Sequence, residues 1–200
     1  FLSDCHGRDH VTHAELAVTN DGKFLGFKNE TIANLGAYAR VFGTVTPTYL
    51  FGPCATGVYT IPAAYSNVKA VYTNTAPVDA YRGAGRPEAT YTIERLVEKA
   101  AMELGIDKTE IRMKNFPTQF PFKQTLVHTV DSGDYVAGLE KAKQMADYAG
   151  FEARRKKSEA NGKLRGIGVS SYFEACGIAP SAAVMSLGCG VGLWESAEVR

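Results

Sequence analysis

No apolar run in this 200-residue chain approaches the roughly 20 residues that span a bilayer as a helix. The longest weakly polar stretch, Ile178–Trp194, is broken by Gly, Ser and Cys and reads as loop plus strand. An excess of one charge is also lacking. Twenty-two Lys+Arg oppose 21 Asp+Glu, for a net charge of +1. That balance excludes a polyanion binder working by bulk charge, and an acidic tail protein. Cysteine is sparse, at Cys5, Cys54, Cys176 and Cys189, with no CxxC pair. A zinc ribbon, a disulfide scaffold and an iron–sulfur cysteine pattern are thereby excluded. The four read as small buried hydrophobes in a reducing compartment. There is no internal repeat. The chain starts at Phe1 without a basic-then-apolar leader, and Ala197–Arg200 alternates like a strand cut part-way. The expectation is an internal fragment of a larger protein.

What is present is enough for a core. Apolar residues make up 45%, and a chain of this length buries roughly 70% of its unfolded surface. That level of hydrophobicity excludes disorder. Val11–Thr19 alternates, with Val11, His13, Glu15 and Ala17 on one face and Thr12, Ala14, Leu16 and Val18 on the other. Asn20-Asp21-Gly22 is a turn signal, and Phe24–Asn29 is the second arm of a β-hairpin. Thr31–Tyr38 continues the sheet. Arg40–Thr60 reads as loop, and Val68–Thr73 as a strand. Ala89, Ile93, Leu96, Val97, Ala100, Ala101 and Leu104 form a helical stripe that opens near Pro87 and stops at Gly105. Asp107 and Glu110 form a capping box for a short second helix. A third helix is expected over Asp134–Tyr148 and an exposed basic one over Phe151–Ala160. Leu164–Phe173 alternates as a strand, and another begins at Val191. Residues 1–75 are thus mainly strands, 76–160 a loop and helices, and 161–200 strands and a Gly-rich loop. The order gives α+β, mixed sheets with a cluster of helices.

The segment that carries chemistry is Val78-Asp79-Ala80-Tyr81-Arg82-Gly83-Ala84-Gly85-Arg86-Pro87-Glu88-Ala89. A strand end, a glycine loop and a helix start follow one another. Gly83 and Gly85 let backbone N–H groups approach a ligand, the helix N-terminus adds unpaired donors, and Arg82 and Arg86 supply cationic forks suited to oxyanions. The segment serves equally as a loop leading into a helix, with both arginines pairing local carboxylates such as Asp79 and Glu88. It is neither a Walker A loop nor a dinucleotide fingerprint, because Arg86-Pro87 and Glu88 stand where those need Lys-Ser/Thr and a third Gly.

Ala80-Tyr81-Arg82-Gly83-Ala84-Gly85-Arg86 resembles the active-site loop of the molybdenum hydroxylases, the xanthine dehydrogenase and aldehyde oxidase group. Within that group it is most similar to the form II branch of carbon monoxide dehydrogenase large-subunit homologues. Gly7-Arg8-Asp9-His10-Val11-Thr12-His13-Ala14-Glu15-Leu16, Tyr59-Thr60-Ile61-Pro62, Glu103–Asp107 and Arg112–Phe116 extend the resemblance in the same order along the chain.

The resemblance implies that residues 1–200 are a fragment of a molybdopterin-binding domain. Arg82, Gly83 and Ala84 would be the catalytic positions beside the metal, and Arg82, Gly83, Ala84, Gly85 and Arg86 would bind the cofactor. That cofactor would be molybdenum–molybdopterin cytosine dinucleotide or a related molybdenum-pterin. Gly83 stands where carbon monoxide oxidisers carry a copper-holding Cys. Ala84 stands where purine-oxidising relatives carry a stacking Phe. An aldehyde or N-heterocycle is then the expected substrate, with water as oxygen source. A general-base Glu would come from a region beyond these 200 residues. Iron–sulfur clusters and FAD would sit on partner subunits or domains, in a dimer of heterotrimers in the cytoplasm. Phe173 and Glu174 would line the substrate channel.

Other groups read more plainly. His6, His10 and His13 cluster with Cys5 and Asp9, but His10 and His13 point to opposite faces of a strand, so polar sheet-edge residues are favoured over a metal site. Ser170 and Ser171 lack the context of a nucleophile. Arg154-Arg155-Lys156-Lys157 reads as a solvated helix face, then as a docking patch, with nucleic acid a poor third.

Overall fold

The computed structural model describes residues 4–174, 185–186 and 198–199. Cys176, Cys189 and most of the strand expected from Val191 lie outside the described residues. The architecture is α+β. β1 (His10–Val18) and β2 (Phe24–Gly36) form the expected antiparallel hairpin, and β3 (Ala64–Tyr72) lies parallel to β2, giving the order β1-β2-β3. The turn works as its residues dictate. Thr19 N–H bonds Lys23 O at 2.9 Å, and Gly22 N–H bonds Thr19 O at 2.8 Å. Asn115 clasps the hairpin from outside it. Its amide donates to Gly22 O and Ile111 O and its Oδ1 accepts from Phe24 N–H, each at 2.8 Å.

α1 (Arg86–Leu104) lies across the sheet and buries Ala89, Ile93, Val97 and Ala101. Burying a Val or Ile side chain contributes roughly 1.5–3 kcal/mol, so this stripe sets the helix's face. Gly105 closes α1, and Asp107 caps α2 (Lys108–Lys114) by accepting from Thr109 N–H and Glu110 N–H. A small hairpin, β4 (Phe122–Lys123) and β5 (Thr129–Val130), was not foreseen. α3 (Tyr135–Met145) and α4 (Phe151–Ala160) follow, shorter for α3 than the expected Asp134–Tyr148. Half of the basic run on α4 is neutralised locally. Arg155 pairs with Glu152 and Glu159, and Arg154 with Asp147.

One expectation is refined and one is corrected. Arg40–Thr60, expected as loop, is built of turns but is largely packed into the interior. It contains a π-helical turn at Thr46–Leu50 and a 3-10 turn at Gly52–Cys54, and it then supplies Ala55, Val58 and Tyr59 to the core beneath α1. Leu164–Phe173 has no ladder partner among the described residues. Its alternation survives, with Ile167, Val169 and Phe173 turned inward, but its carbonyls are met by side chains. Lys108 Nζ reaches Ile167 O at 3.2 Å, and Arg112 Nη2 reaches Val169 O at 3.0 Å.

Candidate functional site

The loop between β3 and α1 has three consecutive residues at positive φ, Gly83 at +95°, Ala84 at +41° and Gly85 at +90°. Ala84 N–H bonds Tyr81 O at 2.7 Å and Arg86 N–H bonds Gly83 O at 3.2 Å, so the loop is a tight double turn. A Cβ at Gly83 would stand 2.4 Å from the Pro87 ring, and one at Gly85 would stand 2.5 Å from Thr46 O. Both glycines are therefore required by the turn and by internal packing. Tyr81 and Arg82 face outward.

The three arginines at the loop differ sharply. Arg82 is exposed, and its guanidinium makes no hydrogen bond or ion pair among the described residues. Arg86 is buried and turned inward, donating to Ala84 O at 3.1 Å and to Glu174 Oε1 at 3.0 Å. Arg8, 74 residues before Arg82, donates through Nη2 to Arg82 O, lies 4.7 Å from the Tyr81 ring centre and has its Nε 3.6 Å from Glu88. The alternative of Arg82 and Arg86 pairing with Asp79 and Glu88 is not realised. Those carboxylates pair with Arg40 and Arg8. Arg8 was the missed residue. Only the chemistry of an arginine in a Gly-Arg-Asp-His run pointed toward it.

Behind the loop, Cys54 Sγ and His128 Nε2 are 3.4 Å apart, and Phe173 sets its ring edge-on to His128 with 5.7 Å between centres. Burial pushes the Cys54 thiol up to about 11, against the pull of Arg86. Burial, then Arg86, holds His128 below its ordinary value. The pair is therefore thiol and neutral imidazole at pH 7, a packed neutral floor with no thiolate nucleophile. Phe173 and Glu174, expected along a channel, are the first packed on His128 and the second paired with Arg86. Glu174, but not Phe173, lines a cleft of about 650 Å³ between α1 and residues 167–174, together with Arg86, Tyr91, Arg95 and Tyr172.

That segment is held by a buried network the sequence did not announce. Arg112, fully buried, donates to Glu94 Oε2 through Nε at 3.0 Å and Nη2 at 2.9 Å, and to Glu98 at 3.3 Å. Glu94 also accepts from Tyr59 Oη and, at 3.1 Å, from Ser171 N–H. Burial works against ionising Glu98, yet Lys108 and Arg112 together hold it below the usual carboxylate range. His10 turns inward against Phe51 and His13 outward toward Glu15, on the opposite faces that strand periodicity requires.

Residues 1–116 match the molybdopterin cofactor-binding domain. The chain belongs to that family. It is 41% identical over 201 residues to the carbon monoxide dehydrogenase large chain of Hydrogenophaga pseudoflava, covering 96% of this chain and 25% of that one. It is 34% identical to the 6-hydroxypseudooxynicotine dehydrogenase complex subunit gamma of Paenarthrobacter nicotinovorans, over 89% of this chain and 23% of the relative. Among solved structures, quinoline 2-oxidoreductase from Pseudomonas putida 86 superposes with a TM-score of 0.80 at 32% identity, over 86% of this chain and 22% of that one. The chain thus spans about a quarter of the length of these relatives.

The loop fits a molybdopterin-type group in its donor chemistry. Such a group is anionic and oxygen-rich, and the loop offers a guanidinium without a partner among the described residues beside backbone N–H groups at a helix start. Gly83 at φ +95° against Pro87 leaves no room for a side chain at this position.

Proposed function

We propose that this chain forms part of the molybdenum-binding subunit of a hydroxylase that oxidises an aldehyde or an aromatic N-heterocycle. The carrying observation is the exposed Arg82 guanidinium, without a partner among the described residues, on a loop whose shape is held by Ala84 N–H to Tyr81 O, Arg86 N–H to Gly83 O and Arg86 on the Ala84 carbonyl. A molybdenum–pterin group, when bound, supplies two-electron oxidation chemistry with water as the oxygen source. This chain's residues bind and orient. Arg82 pairs with anionic oxygens, the Gly83 N–H adds a directional donor, and Ala84 leaves the space above it open. Gly85 and Arg86 shape the loop from beneath, a change from direct cofactor contact to support. Glu174 forms part of one wall of the neighbouring cleft, and Phe173 packs behind it on His128.

The names of the relatives favour the heterocycle side of this choice, since quinoline is one. Gly83 disfavours carbon monoxide, and Ala84, without a stacking ring, disfavours a purine. The cytosine dinucleotide form of the cofactor, iron–sulfur and FAD partner subunits, a dimer of heterotrimers and a cytoplasmic location complete the proposal. No helix among the described residues is long and apolar enough to cross a membrane. A screen of aldehydes and N-heterocycles with an artificial electron acceptor, run on the intact protein with its partners, tests the reading. Turnover of one such class supports it, and carbon monoxide as the sole substrate contradicts it.

A further inference from the structure

The geometry points to Arg8 as the positioning residue that aims the Arg82–Gly83 peptide, an inference that rests on the proposed role of the Arg82 loop. Arg8 is carried in by the chain before β1. His6 N–H bonds Pro77 O at 2.9 Å and Asp79 N–H bonds His6 O at 2.8 Å, a short parallel bridge to the strand end that leads into the loop. Gly7 lies so close to Tyr81 that a Cβ there would stand 2.4 Å from the Tyr81 Cβ. Arg8 itself sits at φ 59°, a left-handed conformation unusual for a residue with a side chain. Such a conformation persists only where the surroundings over-determine it.

Three contacts do so here. The guanidinium covers the Tyr81 ring at 4.7 Å, sits 3.6 Å from Glu88 and donates to the Arg82 carbonyl. Glu88 is in the first turn of α1, and its buried Oε2 makes no hydrogen bond, so its charge faces Arg8 across a short gap. Glu88 therefore anchors Arg8 on the helix while Arg8 holds the loop.

The consequence follows from peptide geometry. In a trans peptide the carbonyl and the next N–H point in opposite directions. Fixing Arg82 O on Arg8 turns the Gly83 N–H away from Arg8, and that N–H has no acceptor among the described residues. Arg86 fixes the Ala84 carbonyl in the same way from the other side. Two arginines thus lock two loop carbonyls, and the third, Arg82, is left to the ligand. Without Arg8 the flexible Arg82–Gly83 peptide is free to rotate, and the directional donor is lost while Arg82 keeps its charge.

The test uses the intact protein and three variants, Arg8→Ala, Arg8→Lys and Arg82→Ala, each measured for molybdenum per protein and for melting temperature. Arg8→Ala is expected to retain molybdenum about tenfold less tightly, the scale of one charge-assisted hydrogen bond. Guanidinium ion at low concentration should restore retention in Arg8→Ala, and methylammonium should not, because only a planar fork bridges Arg82 O and Glu88. Arg8→Lys should fall between wild type and Arg8→Ala. If Arg8→Ala does not accumulate as folded protein, Arg8→Lys decides: retention below wild type supports the inference, and wild-type retention overturns it. Molybdenum loss in Arg82→Ala with full retention in Arg8→Ala sinks the role of Arg8 alone. Full retention in Arg82→Ala sinks the reading of the loop itself.

Discussion

Arg86 and Glu174 are 88 residues apart in sequence, and their side chains meet at 3.0 Å. The contact joins the glycine loop to the 167–174 segment, the two places where the sequence concentrates its functional signals. Arg86 is buried and also holds the Ala84 carbonyl, whereas Glu174 is 42% exposed. Arg86→Met should therefore lower stability by about 2 kcal/mol, because it removes the charged donor to both Ala84 O and Glu174 Oε1. Glu174→Gln should cost less than about 1 kcal/mol, since the Gln amide oxygen can still accept from Arg86 Nε–H and the altered side chain is largely solvated. Urea unfolding of the intact protein checks both, and equal costs would contradict the burial argument.

Arg112 carries a larger stake. Its guanidinium is fully buried and holds Glu94, Glu98 and the carbonyls of Lys108 and Val169. Removing one partner of such a buried pair costs roughly 3–5 kcal/mol. Arg112→Met is expected to lose that much, and Arg112→Met with Glu94→Gln less than Arg112→Met alone. Thermal melting measures the difference. A single variant within 1 kcal/mol of wild type, as for an ordinary surface substitution at roughly 0.5 kcal/mol, would show that the network is not closed in solution.

Gly83 gives a chemical prediction. The protein purified with its cofactor should contain molybdenum without equimolar copper, and Gly83→Cys should not recruit copper. A side chain at φ +95° against Pro87 is strained by about 1–3 kcal/mol, so this variant should also melt earlier. Elemental analysis decides the first point, and stoichiometric copper in either protein would refute it.

The two inward histidines set a pH dependence. His10 is held below its ordinary 6.5 by burial, against the pull of Glu88 and Asp9. His128 is lowered by burial and by Arg86. Below pH 6.5 the unfolded chain takes up protons that the folded protein resists, so stability falls as pH drops through that value and levels off beneath the folded pKa values. Melting temperature should be lower at pH 5.5 than at pH 7.5. The variant with His10→Asn and His128→Asn should show a smaller drop, and an unchanged drop would remove these side chains from the account.

The parts of this molecule that were legible in sequence are those fixed by near neighbours. The Asp21-Gly22 turn, the alternation of β1 and the Ala89–Leu104 stripe each follow from local periodicity and turn chemistry. Arg40–Thr60 misled because short π and 3-10 turns leave no period, and their burial comes from α1 packing over them. Leu164–Phe173 alternates as a strand does, but Lys108 and Arg112 satisfy its carbonyls, and nothing local announces a side-chain partner 57 or 59 residues away. At the site, the loop itself was plain. Which of its arginines faces outward was not, because that depends on Arg8 and Glu174, which only folding brings there.

The most direct test of the central claim is the molybdenum content of the intact protein carrying Arg82→Ala. An exposed side chain without partners among the described residues should cost less than about 0.5 kcal/mol of stability. The account therefore predicts a melting temperature near that of wild type with clearly reduced molybdenum per protein and reduced turnover. Wild-type molybdenum content and kinetics in that variant would contradict it.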